Sequence, residues 1–298
     1  MAEIYNQISS NKWKSYLMIA AFIFVILVLG WVFGALTGSA FLGTGIAFII
    51  AIAFSLFGYY FSDSIVLGIS QAKEADPKKY QFLHNTVEGL AIAAGIPKPR
   101  VYVIEDTALN AFATGRDPKH SAIAVTSGLV ETMNRVELEG VIGHEMSHIK
   151  NYDTRLMTIA VIFVSVIALM ADLILRTFLW GGRGNNENKG GSIGIIIIVA
   201  GIILAILAPL IAQLIKLAIS RQREYLADAS SALLTRYPKG LASALRKIQK
   251  DKEPLEAANA ATAHLYIANP LKNSKGLFVN LFSTHPPIEE RIKRLEAM

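Results

Sequence analysis

The sequence contains no cysteine in its 298 residues. This absence excludes a disulfide framework, a cysteine nucleophile and a thiolate metal site. Charged residues are also scarce: they make up 17% of the chain, whereas a soluble domain usually carries about 25%. Hydrophobic residues account for 53% of the chain, and the mean hydropathy is +0.42. Such a composition indicates a membrane protein if the apolar residues are concentrated in long runs.

Long apolar runs are present in two parts of the chain. A membrane span needs about 20 apolar residues, and four runs reach that length: 16–36, 40–61, 156–180 and 192–215. The third run carries Asp172 and Arg176, which are spaced i, i+4 and can pair with each other. Two such charges are too few for the pathway of an ion channel or transporter. We therefore predict two membrane hairpins, 1–61 and 156–217, each with two transmembrane helices.

Basic residues next to the runs predict the orientation of the chain. Those that flank the predicted hairpins on one side are Lys12, Lys14, Lys150, Arg155, Lys216, Arg221 and Arg223. Because short basic flanks remain in the cytoplasm, both termini and the blocks 62–155 and 218–298 should lie there. This predicts a multi-pass protein of the cell membrane, with the lipid bilayer as a partner. The net charge of +6 has the same explanation, so no nucleic-acid partner is predicted.

The first of these blocks is predicted to contain a small sheet between helices. Helical spacing of apolar residues begins at residue 81, and Gly95 should end that helix. Short β-branched runs predict three strands, at 100–106, 110–115 and 121–130. Asn134, followed three residues later by Glu137, is a variant of the capping box and should start a helix that continues through Lys150. The second block is predicted to be mainly helical.

The segment HEMSH at residues 144–148 carries the most specific chemical signal. Residues i and i+4 lie on one face of a helix, so His144 and His148 can bind the same metal ion. Glu145 stands beside them as a candidate general base. The segment belongs to the predicted capped helix and lies outside the apolar runs. The chemistry should therefore take place in water and not within the lipid.

A catalytic zinc ion usually takes three protein ligands and leaves one position for water. Glu224 and Asp228 are spaced i, i+4 in a segment that follows the last apolar run. If the second hairpin is set aside, only a short link joins this segment to the HEMSH helix. We predict Glu224 as the third ligand, and Asp228 as the acceptor that fixes the tautomer of His144. Asp153 is the alternative acidic ligand.

Four segments together resemble the M48 family of membrane zinc metallopeptidases: NAFATG, HEMSHIKNYD, EYLAD and HPPIEER. The resemblance covers essentially the whole chain. It implies a mainly α integral membrane protein with a cytoplasmic, gluzincin-like α+β metalloprotease domain that contains a small sheet. It further implies one Zn²⁺ ion per chain, bound by His144, His148 and Glu224, with Glu145 as the catalytic base. The implied activity is that of an endopeptidase acting on misfolded or damaged membrane proteins, in protein quality control and the stress response.

The resemblance also implies roles for two further motifs. In HPPIEER, His285 would donate to the developing oxyanion, and Arg291 would support the motif by pairing with a carboxylate. NAFATG would form the sheet edge to which an extended substrate adds a strand, through Asn110, Ala111, Phe112 and Ala113. A catalytically inactive membrane scaffold that keeps the fold is the alternative, and the intact ligand and base positions favour the enzyme. No feature of the sequence indicates an oligomeric state.

Overall fold

The computed structural model describes residues 2–163, 165–166, 221–257, 262–270 and 286–298. The predicted span 192–215, the C-terminal part of the predicted span 156–180 and His285 lie outside these described residues. Within them the protein is mostly helical and contains a small mixed sheet, as predicted. The predictions of four spans and of the second hairpin remain predictions.

Two long helices form the N-terminal hairpin. Helix α1 comprises Ala2–Thr37 and helix α2 comprises Ala40–Ile69. The stretch Ile8–Val28 of α1 and the whole of α2 are long and apolar enough to cross a membrane. Many large apolar side chains of both helices are exposed, including Phe24 and Phe41, as is expected of helices that face lipid. The first two predicted spans fall within these two helices.

A short turn joins the two helices. Gly38 adopts φ +107°, a conformation that favours glycine because a Cβ atom would be strained there. The Ser39 side chain accepts a hydrogen bond from the Leu42 N–H and so caps the start of α2. The conformation of the turn is thus explained by a glycine and a serine cap, and its side of the membrane remains a prediction.

A four-stranded sheet lies outside the hairpin. Its strands are β1 (Lys73–Glu74), β2 (Arg100–Ile104), β3 (Ala111–Asp117) and β4 (His120–Thr126). The strand order is β1-β2-β4-β3, with β2 and β4 parallel and the other pairs antiparallel. The three predicted strands are confirmed as β2, β3 and β4, whereas β1 was not predicted. The prediction that the third strand extends to residue 130 is wrong, because the Thr126 side chain accepts from the Leu129 N–H and starts helix α4 (Ser127–Thr132).

Outside the hairpin the structure describes five further helices: α3 (Gln81–Ala94), α5 (Arg135–Lys150), α6 (Arg221–Thr235), α7 (Pro238–Lys250) and α8 (Ile288–Glu296). Gly95 ends α3 in the left-handed conformation, at φ +69°. Asn134 and Glu137 form a reciprocal capping box at the start of α5. Both sequence predictions are thereby confirmed.

Helix α5 lies at the centre of the part of the chain outside the hairpin. All its residues from Gly140 to Ile149 are buried, and it contacts α3, α6, α7 and β3. Glycine allows one of these contacts, because a Cβ atom at Gly140 would lie 2.6 Å from the Leu241 nitrogen of α7. Since α5 is enclosed on several sides, close packing holds its side chains in defined positions.

The next helix joins this centre to the hairpin. Its described part begins at residue 153, and residues 153–163 are all buried. Phe163 stacks on Phe22 of α1 with ring centroids 4.1 Å apart. The beginning of the third predicted span therefore packs against α1 and lies only a short turn from the end of α5.

Candidate active site

Helix α5 brings the two histidines of the HEMSH segment to one place. His144 and His148 are one helical turn apart, and their Nε2 atoms are separated by 3.1 Å. The exposed fraction is 1% for His144, 4% for His148 and 1% for Glu145. Two converging Nε2 atoms in a buried place are what a shared metal ion requires.

Helix α6 supplies the third side chain of the cluster. Glu224 Oε2 lies 3.7 Å from His144 Nε2, and Glu224 Oε1 lies 3.4 Å from His148 Nε2. The two helices are joined about two turns after Glu224, where the Ser231 hydroxyl of α6 donates to the Gly140 carbonyl of α5 at 2.7 Å. This contact explains how a residue from a distant part of the chain reaches the histidines.

The three side chains fit a metal ion. Their ligand atoms all lie within 4.8 Å of one another. Two imidazole nitrogens and one carboxylate are the protein ligands of many catalytic zinc sites, in which a fourth position is left for water. The structure thus brings together the three predicted ligands, His144, His148 and Glu224.

Asp228 contacts His144 at its Nδ1 atom, and Arg291 binds Asp228 and also reaches the ligand cluster, with Nη1 3.6 Å from Glu224 Oε2 and Nη2 3.5 Å from His144 Nε2. His144 Nδ1 lies 2.9 Å from Asp228 Oδ1. Arg291 donates to both Asp228 oxygens, from Nε at 2.9 Å and from Nη2 at 2.7 Å. Burial raises the pKa of Asp228, but Arg291 and His144 outweigh it and hold that pKa at about 2. The ionised carboxylate therefore faces Nδ1 and leaves Nε2 for a metal, which is the position predicted for Asp228.

Asp153 supports His148 in a similar way. Asp153 Oδ2 lies 3.1 Å from His148 Nδ1, and Asp153 is fully buried. The chain folds back here because α5 ends at Lys150 and Tyr152 adopts a positive φ of 60°. Asp153 was predicted only as an alternative metal ligand, but its carboxylate faces His148 Nδ1 and not Nε2. An acidic residue just beyond the end of a metal-binding helix was the signal that could have identified this contact.

The two histidines differ in their electrostatic surroundings. Burial lowers the pKa of His144, and the hydrogen bond with Asp228 offsets only part of that effect. Burial also lowers the pKa of His148, but Asp153 and Glu224 outweigh it and raise the pKa well above its ordinary value. Arg291 accounts for part of the difference, since its Nη2 atom lies 3.4 Å from His144 Nδ1.

Glu145 lies beside the ligand cluster on the same helix. Burial raises the pKa of Glu145 to about 7, although the charges of His148 and Arg291 act in the opposite direction. Its Oε1 atom is buried and has no hydrogen-bond partner in the structure. A buried carboxyl oxygen of this kind is available to a water molecule or a substrate group.

The predicted substrate edge is covered by another segment of the chain. The Ala111 carbonyl of the edge strand β3 accepts a hydrogen bond from the Ile267 N–H at 2.9 Å. The Asn110 side chain donates to the Ala268 carbonyl at 3.1 Å, and Arg291 Nη1 donates to the Ile267 carbonyl at 3.0 Å. This segment of the chain thus occupies the Ala111 carbonyl and the Asn110 side chain, two of the groups to which the sequence predicts that a substrate binds.

We call residues 262–270 the edge segment. The Tyr266 ring packs edge-on against Phe112 at 5.0 Å between centroids, and its hydroxyl donates to Ser70 Oγ at 3.3 Å. Ala113 is buried beside them. The structure therefore places the four predicted substrate-binding residues at this edge, with part of the edge occupied by the protein itself.

Of the two residues predicted to act in the HPPIEER motif, the structure describes only Arg291. Arg291 on α8 pairs with Asp228, which supplies the carboxylate partner that the sequence analysis expected for it. His285 lies outside the described residues, so its predicted role stays a prediction.

Comparisons with known proteins agree with this geometry. Peptidase family M48 matches residues 77–298. The chain is 47% identical over 294 residues to a protease HtpX homolog of Dictyoglomus turgidum, covering 99% of this chain and 94% of the relative. It is also 47% identical over 301 residues to a protease HtpX homolog of Caldanaerobacter subterraneus subsp. tengcongensis, covering 99% and 98% of the two chains.

A solved structure shares the fold. The crystal structure of S. mikatae Ste24p has a TM-score of 0.50 and 18% sequence identity to this chain, covering 99% of this chain and 67% of the other. The two apolar helices and the protease relatives together support a membrane metalloprotease, as the motifs predicted. By its sequence match over the catalytic region and its full-length relatives, the chain belongs to peptidase family M48.

Proposed function

We propose that this membrane metalloprotease is a zinc-dependent endopeptidase that cleaves misfolded or damaged membrane proteins at the cytoplasmic face. The convergence of His144, His148 and Glu224 beside the buried Glu145 supports the proposal most directly. Glu145 Oε1 is buried next to this cluster and has no hydrogen-bond partner. Such an oxygen is costly for stability, so a catalytic role explains it better than a structural role alone.

The contacts of the two histidine rings indicate which nitrogen of each ring would bind the metal. Because the Nδ1 atoms of His144 and His148 face Asp228 and Asp153, both histidines would hold the metal through Nε2. Glu224 would complete the set with its carboxylate. A bound zinc ion supplies Lewis acidity: it lowers the pKa of a coordinated water molecule and polarises the scissile carbonyl.

Glu145 is proposed as the general base and then the general acid. Its Oε1 atom has no partner in the structure, so it can accept a proton from the attacking water. The same carboxyl group then donates that proton to the leaving amine. Glu145 is held in place for both steps by the packing of α5, which is buried along this whole stretch.

His285 is proposed to donate to the oxyanion that develops on the scissile carbonyl. The HPP sequence supports this role, because its two prolines restrict the backbone between His285 and the start of α8. Arg291 anchors α8 to the ligand cluster through Asp228. The chain that leads into α8 is thereby tied to the neighbourhood of the metal ligands.

The substrate is proposed to add a strand to β3. It would take hydrogen bonds from the Asn110 side chain and give one to the Ala111 carbonyl, both of which now bind the edge segment. The edge segment must therefore leave β3 before a substrate can bind there. Pairing through the main chain accepts many sequences, which suits an enzyme that acts on damaged proteins of varied sequence.

A contact between α1 and the end of α5 supports the cytoplasmic orientation. The Asn11 side chain donates to the Asn151 carbonyl, directly after α5, at 2.9 Å. The ligand cluster therefore lies near the N-terminal part of α1, which precedes the apolar run 16–36. Lys12 and Lys14 mark that end as cytoplasmic by the positive-inside rule.

The proposal is tested by casein digestion with detergent-solubilised protein, comparing wild type with Glu145→Gln. Glutamine has nearly the same shape but cannot carry the proton, so we expect unchanged zinc content and loss of cleavage. Glu139→Gln is the matched control, because Glu139 lies on the same helix and pairs with Arg135 away from the cluster. Retained proteolysis by Glu145→Gln would contradict the mechanism, and wild-type protein without zinc would contradict the ligand set.

A further inference from the structure

The support of His148 extends into the first membrane helix. Asn11 lies on α1, shortly before the apolar run 16–36, and is fully buried. Its side-chain nitrogen donates to the Asn151 carbonyl at 2.9 Å and to Asp153 Oδ1 at 2.7 Å. An amide nitrogen has two hydrogens, so both are used in these contacts.

Asp153 connects this amide to the metal ligand. Its Oδ1 atom accepts from Asn11, and its Oδ2 atom lies 3.1 Å from His148 Nδ1. The Arg223 side chain is the nearest charged group on α6, with Nε 3.6 Å from Oδ1. A carboxylate held at one oxygen by a hydrogen bond cannot rotate freely, so the direction of its other oxygen is defined.

We infer that Asn11 is a positioning residue for the metal site, which acts through Asp153 on His148 and makes the first membrane helix part of that site. The inference deepens the proposed function and rests on its metal ligands. A residue in the hairpin then helps to decide how the His148 ring presents Nε2 to the metal. The hairpin consequently contributes to metal affinity as well as to membrane attachment.

Ser15 provides a matched control on the same helix. It lies one turn after Asn11 and is equally buried, but its hydroxyl donates to the Asn11 carbonyl at 2.8 Å within α1. Ser15→Ala removes a buried polar group of α1 without breaking a contact to Asp153. A difference between Asn11→Ala and Ser15→Ala therefore separates positioning from the loss of a buried polar group, and Asn11→Leu, which keeps a similar volume, separates it from the loss of packing.

The test measures zinc binding by the full-length protein in detergent, by competition with a chromophoric chelator. We expect Asn11→Ala to weaken zinc affinity about 10- to 100-fold, as is typical when a residue behind a metal ligand is changed. Ser15→Ala should leave the affinity within about twofold of wild type. Saturating zinc should restore the casein-cleavage rate of Asn11→Ala, because the machinery for catalysis is intact.

A double-mutant cycle with Asp153→Ala identifies the route of the effect. If Asn11 acts through Asp153, adding Asn11→Ala to Asp153→Ala should weaken zinc binding no further. Should Asn11→Ala fail to fold, Asn11→Leu replaces it, since leucine fills a similar volume without the donor.

The outcomes distinguish this inference from the proposed function. Wild-type protein that binds no zinc overturns both. Wild-type protein that binds zinc, with an Asn11 variant of unchanged affinity, overturns the inference alone. Additive effects of Asn11→Ala and Asp153→Ala overturn it as well, because Asn11 would then act by another route.

Discussion

The two histidines of the proposed metal site are supported by different regions of the molecule. Asp228 and Arg291, behind His144, come from α6 and α8, within the region that matches the peptidase family. Behind His148, Asp153 follows α5 and is held by Asn11 of the membrane hairpin. Asn11 precedes the matched region, which begins at residue 77.

The difference shows that a compact active site can depend on parts of the chain with separate tasks. Behind His144, the residues that support the ring, Asp228 and Arg291, are both charged and form a buried ion pair; we call them the His144 support, and Asp153 with Asn11 the His148 support. Behind His148, the Asp153 carboxylate accepts a 2.7 Å hydrogen bond from a neutral amide, and the nearby guanidinium of Arg223 lies farther away, with Nε 3.6 Å from Oδ1. Breaking the first should therefore cost more folding stability, whereas breaking the second should act mainly on the metal.

The largest loss of zinc binding and activity is expected at Glu224, which contacts both histidines. Its carboxylate lies 3.7 Å or less from the Nε2 atoms of both histidines. Glu224→Ala should leave the purified protein almost free of zinc and inactive, which elemental analysis and casein digestion would measure. The control is Glu290→Ala, which removes an exposed carboxylate on α8. Near-normal zinc content in Glu224→Ala would show that another residue is the third ligand.

The second prediction concerns the edge segment, which Arg291 contacts through its hydrogen bond to the Ile267 carbonyl. Because the chain has no cysteine, Ala111→Cys with Ile267→Cys can form only one intramolecular disulfide. We expect oxidation to abolish casein cleavage and reduction with a phosphine to restore it, since β3 is reopened. Each single cysteine variant is a control and should respond to neither treatment. Full activity in the oxidised double variant would show that substrates bind elsewhere.

The third prediction concerns the buried ion pair. Arg291→Ala leaves the buried Asp228 carboxylate without its arginine partner, with only His144 Nδ1 beside it, and such a loss typically costs about 3–5 kcal/mol of unfolding free energy. Denaturant unfolding of the zinc-free protein should show this loss. Arg294→Ala removes an exposed arginine from the same helix and should cost less than about 1 kcal/mol. Equal losses in the two variants would contradict the stabilising role of the buried pair.

The smallest expected effects compare the two supporting carboxylates directly. Asp228→Asn and Asp153→Asn should each weaken zinc affinity about 10- to 100-fold. Adding Asn11→Ala should weaken zinc binding further in the Asp228→Asn protein but not in the Asp153→Asn protein. Chelator competition on the four proteins would measure this. The same additional loss in both backgrounds would mean that the two supports are not separate.

Several features of this protein were predictable from the sequence because their causes are local. The i, i+4 spacing in HEMSH places His144 and His148 on one face of any helix. The capping box at Asn134 and the glycine at 95 define helix ends through contacts within one turn. The two helices that are long and apolar enough to cross a membrane follow from uninterrupted apolar runs. In each case neighbouring residues suffice for the prediction.

Other features depended on tertiary packing. Glu224 reaches the histidines because α6 packs closely on α5, where a Cβ atom at Gly143 would lie 2.8 Å from Ser231 Oγ. The contact of Asp153 with His148 depends on the turn after α5, and its contact with Asn11 joins residues 142 positions apart. The position of the edge segment on β3 likewise depends on long-range contacts. No local pattern encodes these pairings, since each arises only when separate helices and strands are packed together.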